Sequence, residues 1–363
     1  MTTSIQGAHG FRLLQTGKPL ERFELPALEP AADEAIVEVA GCGVCHTDVG
    51  FAVDGVPTRK PLPLVLGHEI SGRVVAAGER AADWIGRLVI VPAVIPCGTC
   101  AACQAGRPTI CRNQFMPGNH GDGGFATHVR IPARGLCAVP EPLPPGVDIA
   151  MLSVIADAVT TPWEAIRRAN VGREDVAVFI GVGGVGGFGV QMAAARGAAV
   201  IAIDVDKEKC ELAVRHGAGL ALDPACMNEN DLKAAVRNFI KQSGRQGIGL
   251  KIFETSGTTA GQQTAFSILD FGAYLAVVGY TPRKAEFRLS NLMAFDATAR
   301  GNWGCPPDQY PAALRLVLRG KLAIAPYVEA HSLEEAPAVF EAVVRHAIRR
   351  RVIFKPERNG AAS

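Results

Sequence analysis

The sequence predicts an α/β protein in which a doubly wound parallel sheet is joined to a separate, irregular β-domain. From Val176 onward, short apolar runs alternate with helical stretches, and a glycine-rich turn lies between the first such strand and its helix. The first 150 residues are instead rich in proline and glycine and contain short β-like runs. At 363 residues the chain is long enough for two domains, each with its own core.

The N-terminal region predicts strands rather than helices. Ala35–Ala40 and Arg87–Val91 are apolar runs of strand length, and helical periodicity is scarce around them. Four prolines, at positions 140, 142, 144 and 145, then precede a helical stretch over residues 150–166. This proline cluster indicates the end of the β-domain.

The alternating region predicts the parallel sheet. Its expected strands are Val176–Ile180, Val200–Ile203, Lys251–Glu254 and Tyr274–Val278. Its expected helices are Val185–Arg196, Lys207–Arg215 and Asp231–Gln242. Strands that alternate with helices in this way build a doubly wound sheet with helices on both faces.

The last sixty residues return to an irregular pattern, with predicted helices at Tyr310–Arg319 and Leu333–Arg345. We infer that this segment rejoins the first domain, which is therefore discontinuous. The expected division is residues 1–153 with 301–363 for the β-domain, and residues 154–300 for the sheet domain.

Composition excludes several classes of protein. A formal net charge of +2 shows no basic bias of the kind that nucleic-acid binding needs. The charge-free stretch Val176–Ala195 contains six glycines, so we interpret it as strand, turn and helix and expect no membrane span. The start, Met1–Gln6, lacks a signal-peptide pattern, and ten cysteines in a chain of this size need not form disulfides. We therefore expect reduced thiols and a cytoplasmic location.

Four cysteines form a C-x2-C-x2-C-x7-C run within fifteen residues, surrounded by glycines and prolines: Cys97, Cys100, Cys103 and Cys111. Four thiolates at such spacing are the ligand set of a closed, tetrahedral zinc site. The loop around them, residues 95–113, has too little apolar surface to hold itself. We predict a structural zinc lobe there.

The glycine-rich turn follows a strand and opens a helix, which is the context that a dinucleotide-binding fingerprint requires. Glycines there allow a tight turn, backbone approach to the pyrophosphate and close helix–strand packing, and the helix N-terminus attracts phosphate. The candidate cofactor-binding residues of this turn are Gly181, Gly183, Gly184, Val185 and Gly186. Similar turns also occur without ligands.

An acidic residue follows the turn at the spacing expected for a ribose contact. Asp204 lies 23 residues after Gly181, at the end of the second predicted strand. A carboxylate there repels a 2′-phosphate, so the pattern favours NAD over NADP. Its alternative interpretation is an ordinary turn residue. Lys209 could reach the same ribose or be a surface lysine.

A second, sparser set of metal-ligand residues lies upstream. Cys45 stands in Gly43–Asp48 and His68 in Gly67–Glu69. Alone, Cys45 would be interpreted as a buried thiol, and His68 as a core histidine whose ring nitrogens are hydrogen-bonded. In order with the four-cysteine lobe and the turn at Gly181–Gly186, they predict a catalytic metal.

That ordered combination resembles the zinc-dependent medium-chain alcohol dehydrogenases over nearly the full chain. The resemblance implies a Rossmann domain and a GroES-like β-domain, two zinc ions per chain and NAD. It also implies oxidation of an alcohol by hydride transfer and a homo-oligomer, dimer or tetramer, with a small-molecule substrate.

The resemblance also implies roles for single residues. Cys45 and His68 would bind the catalytic zinc, Thr47 would hydrogen-bond the alcohol oxygen, and Asp48 would accept from the other nitrogen of His68. The residues expected to contact the cofactor outside the glycine turn are His46, Asp204, Lys209, Val278 and Arg351. The run that contains Arg351 has a second interpretation as a solvated helix end.

The third ligand of the catalytic zinc departs from the family. Many relatives have cysteine where this chain has Asp157. One thiolate, one neutral imidazole and one carboxylate still balance Zn²⁺. Glu69 competes for the role, because in some relatives it approaches the metal. We expect one carboxylate at a time, with Asp157 as the resting ligand and an open fourth position.

A second departure is Gly50, which stands where relatives often carry a proton-relaying histidine. Together with residues 157–163 and 300–305, it resembles family members that oxidise a ring secondary alcohol beside a conjugated CoA thioester, in anaerobic aromatic degradation. Arg59 and Lys60 are candidates for the CoA phosphates, or belong to a solvated loop.

Three alternatives to this substrate stay open. A general zinc alcohol or polyol dehydrogenase would share every motif. A hydratase would use zinc-bound water without consuming NAD. A metal-stabilised scaffold without turnover would need neither Thr47 nor Asp204, so their presence argues against it.

Overall fold

A computed structural model of the chain describes residues 4–245 and 249–357. It divides into two compact units. The first unit holds the described residues up to Thr160, with Gly304–Arg319 and the chain from Val328 onward. The second unit holds Thr161–Trp303 and Gly320–Tyr327. Compared with the division expected from sequence, the boundaries lie a few residues later, and a short return segment adds to the second unit.

The described residues form sixteen strands and ten α-helices. The strands are β1 (His9–Leu13), β2 (Glu21–Glu24), β3 (Glu34–Gly43), β4 (Leu64–Val65), β5 (Glu69–Ala77), β6 (Leu88–Val91), β7 (His128–Pro132), β8 (Cys137–Ala138), β9 (Val176–Ile180), β10 (Ala199–Ile203), β11 (Leu220–Leu222), β12 (Lys251–Glu254), β13 (Tyr274–Val277), β14 (Thr298–Gly301), β15 (Val328–Ser332) and β16 (Arg351–Lys355). The helices are α1 (His46–Ala52), α2 (Ala101–Gln104), α3 (Thr160–Arg168), α4 (Gly184–Ala195), α5 (Lys207–Arg215), α6 (Glu229–Gln242), α7 (Thr259–Ser267), α8 (Ser290–Ala294), α9 (Tyr310–Leu318) and α10 (Ala336–Val344).

The second unit is a six-stranded sheet with strand order β11-β10-β9-β12-β13-β14, and every pair of neighbours is parallel. This is the doubly wound dinucleotide-binding order, so the predicted fold class is confirmed. All five residues of β9 are buried, as expected for a central parallel strand. The chain reverses its direction of winding between β9 and β12, and such a switch point is where these sheets bind ligands.

The first unit is built on a seven-stranded sheet in the order β15-β16-β3-β5-β6-β8, with β7 paired to β3. β16 pairs antiparallel with the end of β3, where Phe354 lies opposite Cys42. This pairing brings the C-terminal segment into the sheet of the first unit. Phe125 packs edge-on against Phe354 with ring centroids 5.1 Å apart in the hydrophobic core. A small sheet, β2-β1-β4, completes the strand pairing described for this unit.

The predicted helical stretch over residues 150–166 is wrong in one respect, because the structure breaks it at Asp157. Ala150–Ala156 forms a 3-10 helix, and α3 begins only at Thr160. Asp157 has φ −141° and ψ −61°, outside helical values. The break leaves an acidic side chain at a chain reversal between two buried elements.

The charge-free stretch tested as a membrane span divides into β9, the glycine turn and α4. Within the described part of the chain, no helix combines the length and apolar character needed to cross a bilayer.

Candidate metal centres and nucleotide loop

The four-cysteine lobe brings its thiols together. Separations of 3.5–3.9 Å join the sulfur of Cys97 to those of Cys103 and Cys111, and the sulfur of Cys100 to the same two. Tetrahedral zinc with Zn–S bonds of about 2.3 Å sets its sulfurs about 3.8 Å apart. A disulfide would need about 2.05 Å, and all ten cysteines are free. The lobe therefore has the dimensions of a Cys₄ zinc site.

Local hydrogen bonds prepare the lobe for a cation. The backbone N–H of Cys100 donates to the sulfur of Cys97 at 3.3 Å, and N–H donors from Thr99 and Cys100 lower the pKa of Cys97 to about 6. Desolvation and neighbouring thiols raise the pKa of Cys103 to about 12, so a metal must displace its proton. Helix α2 buries none of its residues. Apart from buried residues such as Ile95 and Cys111, the lobe has little packing of its own, so its order is expected to depend on a bound metal.

The second cluster is assembled in the first unit from three separate elements. Cys45 is the residue before α1, His68 is the residue before β5, and Asp157 occupies the break before α3. Their ligand atoms and one oxygen of Glu69 all lie within 4.8 Å of one another. Residues that are 112 positions apart in sequence thus meet in one cluster.

The geometry of this cluster fits zinc. The Cys45 sulfur lies 3.6 Å from Asp157 Oδ2, and His68 Nε2 lies 3.6 Å from the same oxygen. Tetrahedral zinc would set a sulfur and an oxygen ligand about 3.6 Å apart, and a nitrogen and an oxygen about 3.4 Å apart. One oxygen of Asp157 therefore faces both of the other ligands at the separations that zinc requires.

Asp48 supports the two ligands from behind. Its side chain is fully buried and accepts from the backbone N–H of Cys45 at 2.9 Å and of Gly67 at 3.1 Å. Its Oδ1 also lies 3.3 Å from His68 Nδ1. That contact is close enough for an ion pair but poorly directed, since Nδ1 lacks a hydrogen bond of good geometry. Asp48 thus lies at the distance expected for the predicted partner of His68, but the angle of a hydrogen bond is not met.

Burial and charge act in opposite directions on His68. Burial lowers its pKa, but the negative charge of Asp48 and the nearby acceptor oxygens of Asp157 and Asp48 outweigh burial, and the pKa of His68 lies well above its ordinary value. Zinc binds neutral imidazole, so a proton and the metal compete for Nε2. Lower pH favours the proton.

Glu69 is held by Arg351. The Nε–H of Arg351 donates a hydrogen bond to Oε2 of Glu69 at 2.8 Å, and a terminal N–H of the same guanidinium donates to Oε1. Oε1 also accepts a hydrogen bond from the backbone N–H of Ala158 at 3.1 Å. Both side chains are almost fully buried, and burial raises the pKa of Glu69 despite the opposing charge of Arg351. Both oxygens of Glu69 are thus engaged by hydrogen-bond donors, whereas Asp157 Oδ2 faces the Cys45 sulfur and His68 Nε2.

Arg351 therefore has a different partner from the ones expected from sequence. It begins β16 and is 7% exposed, so its interpretation as a solvated helix end is wrong. Its side chain neutralises a buried carboxylate, which would otherwise be costly. The structure pairs it with Glu69, where the sequence analysis expected a cofactor phosphate.

Thr47 and His46 occupy the first turn of α1. The Thr47 hydroxyl lies 3.6 Å from the Cys45 sulfur, so it stands beside the ligand cluster. His46 is exposed and stacks on His346 with ring centroids 5.8 Å apart. Gly50, in the same helix, is buried. The cluster therefore has a hydroxyl beside it but no imidazole at position 50.

The glycine turn of the second unit has the form of a dinucleotide loop. Gly181 has φ +83°, and a Cβ there would lie 2.4 Å from the Cα of Ser256, so only glycine fits. A Cβ at Gly183 would meet nothing within 4 Å. This open space lies at the N-cap of α4, whose first N–H groups receive no side-chain cap. The turn thus offers room and donors for a pyrophosphate.

Asp204 is fixed beside the turn. One carboxylate oxygen accepts from the backbone N–H of Val182 at 2.8 Å and the other from that of Asp206 at 2.9 Å. Lys209 is half-buried in the first turn of α5. Val278 lies just beyond β13, not within it, and donates its N–H to the carbonyl of Glu254 at 2.9 Å.

Two residues near the turn were missed by the sequence analysis. The Thr255 hydroxyl donates to the Gly181 carbonyl at 2.7 Å and so ties the end of β12 to the turn. Glu254 is fully buried, and its Oε1 accepts from the N–H groups of Ser256 at 2.9 Å and Gly257 at 3.1 Å. The sequence feature that could have indicated Glu254 is its charge at the end of an otherwise apolar parallel strand.

Comparisons with known proteins match most of the chain. Residues 31–141 match the family model of the alcohol dehydrogenase GroES-like domain, and residues 184–319 match that of zinc-binding dehydrogenases. An alcohol dehydrogenase of Geobacillus stearothermophilus is 30% identical over 338 residues, which cover 93% of this chain and 95% of the relative.

Two solved structures share the whole architecture. Galactitol-1-phosphate dehydrogenase of Escherichia coli superposes with a TM-score of 0.85 at 25% identity, covering 96% of this chain and all of that one. A candidate zinc-binding dehydrogenase of Sinorhizobium meliloti, bound to NADP, superposes with a TM-score of 0.80 at 26% identity, covering 98% of this chain and all of that one.

Proposed function

Because the chain belongs to the zinc-dependent medium-chain alcohol dehydrogenase family, we propose that it oxidises a secondary alcohol to a ketone with NAD as the hydride acceptor. As an oxidoreductase of CH–OH groups it uses one zinc ion at Cys45, His68 and Asp157, and a second in the four-cysteine lobe. The observation that carries this assignment is the position of Asp157 Oδ2, which lies 3.6 Å from both the Cys45 sulfur and His68 Nε2, with the Thr47 hydroxyl beside the cluster.

Each residue of the cluster has a task that follows from its position. Cys45 and Asp157 supply two negative charges and His68 a neutral nitrogen, which together balance Zn²⁺. When bound, zinc supplies a Lewis acid that polarises the alcohol oxygen. Thr47, next to Cys45, orients the alcohol through its hydroxyl and passes on the alcohol proton. Asp48 holds the backbone of Cys45 and the loop before His68 in place.

The nucleotide loop supports NAD as the cofactor. Gly183 leaves room for the pyrophosphate, and the N-terminus of α4 provides donors. Asp204 is held at the end of β10 by two backbone N–H groups, in the position of a ribose-binding carboxylate. Its negative charge disfavours the 2′-phosphate of NADP. The protein supplies this binding and orientation, and the cofactor carries the hydride.

For the substrate, we propose 6-hydroxycyclohex-1-ene-1-carbonyl-CoA, oxidised to 6-oxocyclohex-1-ene-1-carbonyl-CoA. The support is the resemblance of residues 157–163 and 300–305, and of Gly50, to family members of that specificity. Lys60 forms an ion pair with Asp122 at 2.6 Å, so Arg59 is the stronger of the two candidates for a CoA phosphate.

A sugar or polyol phosphate is the second candidate substrate. The similarity to galactitol-1-phosphate dehydrogenase favours it, and Arg59 would serve a phosphate of either substrate. Both candidates are secondary alcohols attached to an anionic group, so the ligand cluster does not distinguish them.

We also propose that the protein is a homodimer or a larger homo-oligomer in the cytoplasm. β14 is the edge strand of the parallel sheet, and its four residues are exposed. An exposed edge presents unpaired backbone groups to a second copy. Ten free thiols suit a reducing compartment. The molar mass in solution tests the assembly.

The test of function is a spectrophotometric panel of the purified protein with NAD and with NADP. The substrates are the cyclic hydroxy-enoyl-CoA, sugar and polyol phosphates, and simple secondary alcohols. We expect NADH from the CoA ester and much less NADPH. Efficient turnover of a polyol phosphate alone would replace the substrate proposal, whereas no reduced nucleotide from any alcohol would contradict the dehydrogenase assignment.

A further inference from the structure

Three donors converge on the carbonyl oxygen of Ala156, the residue before Asp157. The Tyr310 hydroxyl donates to it at 2.5 Å, the Thr160 hydroxyl at 3.2 Å and the backbone N–H of Ala93 at 3.4 Å. Ala156 and Thr160 are fully buried and Ala93 nearly so. Such convergence on one backbone oxygen fixes the peptide that links Ala156 to Asp157.

Tyr310 is the donor most distant from Ala156 in sequence, and its side chain is buried. It begins α9, lies 154 residues from Ala156 and is 1% exposed. Its oxygen also accepts from the N–H of Ala93 at 3.2 Å. Burial raises its pKa well above the ordinary value, so the hydroxyl keeps its proton and remains a donor.

The orientation of Asp157 depends on that peptide. The position of its carboxylate depends on two side-chain torsions and on the backbone that carries them. That backbone lies outside the helical region, at φ −141° and ψ −61°, between a 3-10 helix that ends at Ala156 and an α-helix that begins at Thr160. Anchoring the preceding carbonyl therefore helps to aim Oδ2 at Cys45 and His68.

We propose that Tyr310 is a positioning residue for the zinc ligand Asp157, acting through the Ala156 carbonyl. The inference rests on the proposed function, because it takes Asp157 as a ligand of the catalytic zinc. In this proposal the Tyr310 hydroxyl fixes the peptide before Asp157 and so determines how long the carboxylate holds the metal. Groups that orient metal ligands typically contribute about 10- to 100-fold to metal affinity.

The test compares zinc release from the full chain and from two variants that each lose one buried hydroxyl. Tyr310→Phe removes the donor to Ala156. Tyr327→Phe is the matched control, since Tyr327 is 3% exposed and its hydroxyl lies 3.2 Å from His216 Nδ1 in the second unit. A chromogenic chelator follows the release of zinc over time, which should show one kinetic phase for each zinc site. The phase that is absent in the variant Asp157→Ala is assigned to the catalytic site.

We expect Y310F to release the catalytic zinc roughly tenfold faster, with the lobe phase unchanged, and Y327F to match the wild type. The lobe phase also reports whether the first unit is folded. Thr160→Val removes a second donor from the same carbonyl and should accelerate the same phase, so the test survives if Y310F does not fold.

If the wild type shows a catalytic phase and both Y310F and T160V release that zinc at the wild-type rate, the role of Tyr310 is contradicted while the proposed function stands. A wild-type chain that retains only the lobe zinc would overturn the proposed function as well. An equal acceleration in Y327F would also count against Tyr310, because it would show a general loss of stability.

Discussion

Asp157 is the carboxylate of the proposed ligand set for the catalytic zinc, and the neighbouring residues explain how it can serve. Asp157 directs one oxygen at Cys45 and His68, whereas the buried Glu69 gives both oxygens to Arg351 and a backbone N–H. Arg351 therefore binds Glu69 through two hydrogen bonds but lies only 4.0 Å from Asp157 Oδ2, so the two acids share one arginine unequally.

Charge at position 157 should matter more than the identity of the ligand atom. Asp157→Cys keeps a negative ligand and should retain two zinc ions per chain with part of the activity, whereas Asp157→Asn should lose the catalytic zinc and at least roughly 100-fold in activity. Elemental analysis and NADH formation check both variants. A fully active D157N with two bound zinc ions would exclude Asp157 as a ligand.

Gly50 provides a second residue-scale prediction. An imidazole placed there accepts a proton only when neutral, so Gly50→His should add a limb to the pH–rate profile that rises through about pH 6.5. The affinity for NAD should change less. Gly50→Asn is the control, with a similar size and no titration. Superimposable pH–rate curves for the wild type and G50H would show that position 50 takes no part in proton release.

At the scale of elements, substitutions at two glycines of the turn should affect folding and cofactor binding separately. Gly183→Ala places a methyl group in open space, so the fold should be unaffected while NAD binding weakens. Gly186→Ala places one 1.9 Å from the Gly181 carbonyl and should lower the free energy of unfolding by about 1–3 kcal/mol. Denaturant unfolding and NAD titration measure the two effects. Normal NAD affinity in G183A would argue against pyrophosphate at this turn.

The four-cysteine lobe should behave as an element that depends on its metal. Cys100→Ser should lose one zinc per chain and make residues 95–113 sensitive to protease, with a smaller effect on turnover. The exposed Cys226, outside both clusters, gives the control Cys226→Ser. A lobe that stays protease-resistant in C100S would show that its order does not come from zinc.

Sequence patterns were most informative where the structure is locally determined. The bounds of Lys207–Arg215 and Lys251–Glu254 were predicted as the structure has them, because an apolar period and flanking turns determine such elements. The edge strand β14 was not predicted, since its four exposed residues show no apolar run. The helix break at Asp157 was missed for a similar reason: the apolar residues before it are compatible with a longer helix.

The candidate sites show the same limit. Cys97 to Cys111 could be assigned from spacing because all four ligands lie in one loop. The partner of Arg351 and the role of Tyr310 could not, because they depend on contacts across 282 and 154 residues. Local spacing carries no information about which distant side chain will neutralise a buried acid or anchor a carbonyl.

At the scale of the whole molecule, the chain consists of two units, and the proposed function gives each a different task. The first contains the proposed zinc ligands and the second contains the proposed nucleotide loop, and each has its own hydrophobic core. The discontinuous order of the first unit follows from β16, which returns to pair with β3 and places Arg351 against Glu69.

The most direct measurement is zinc-dependent formation of NADH. The protein is assayed with the cyclic hydroxy-enoyl-CoA and NAD as purified, after a chelator has removed the catalytic zinc, and after zinc is restored. The account predicts NADH in the first assay, its loss in the second and its return in the third. A chain that holds both zinc ions yet reduces neither NAD nor NADP with any secondary alcohol would contradict it.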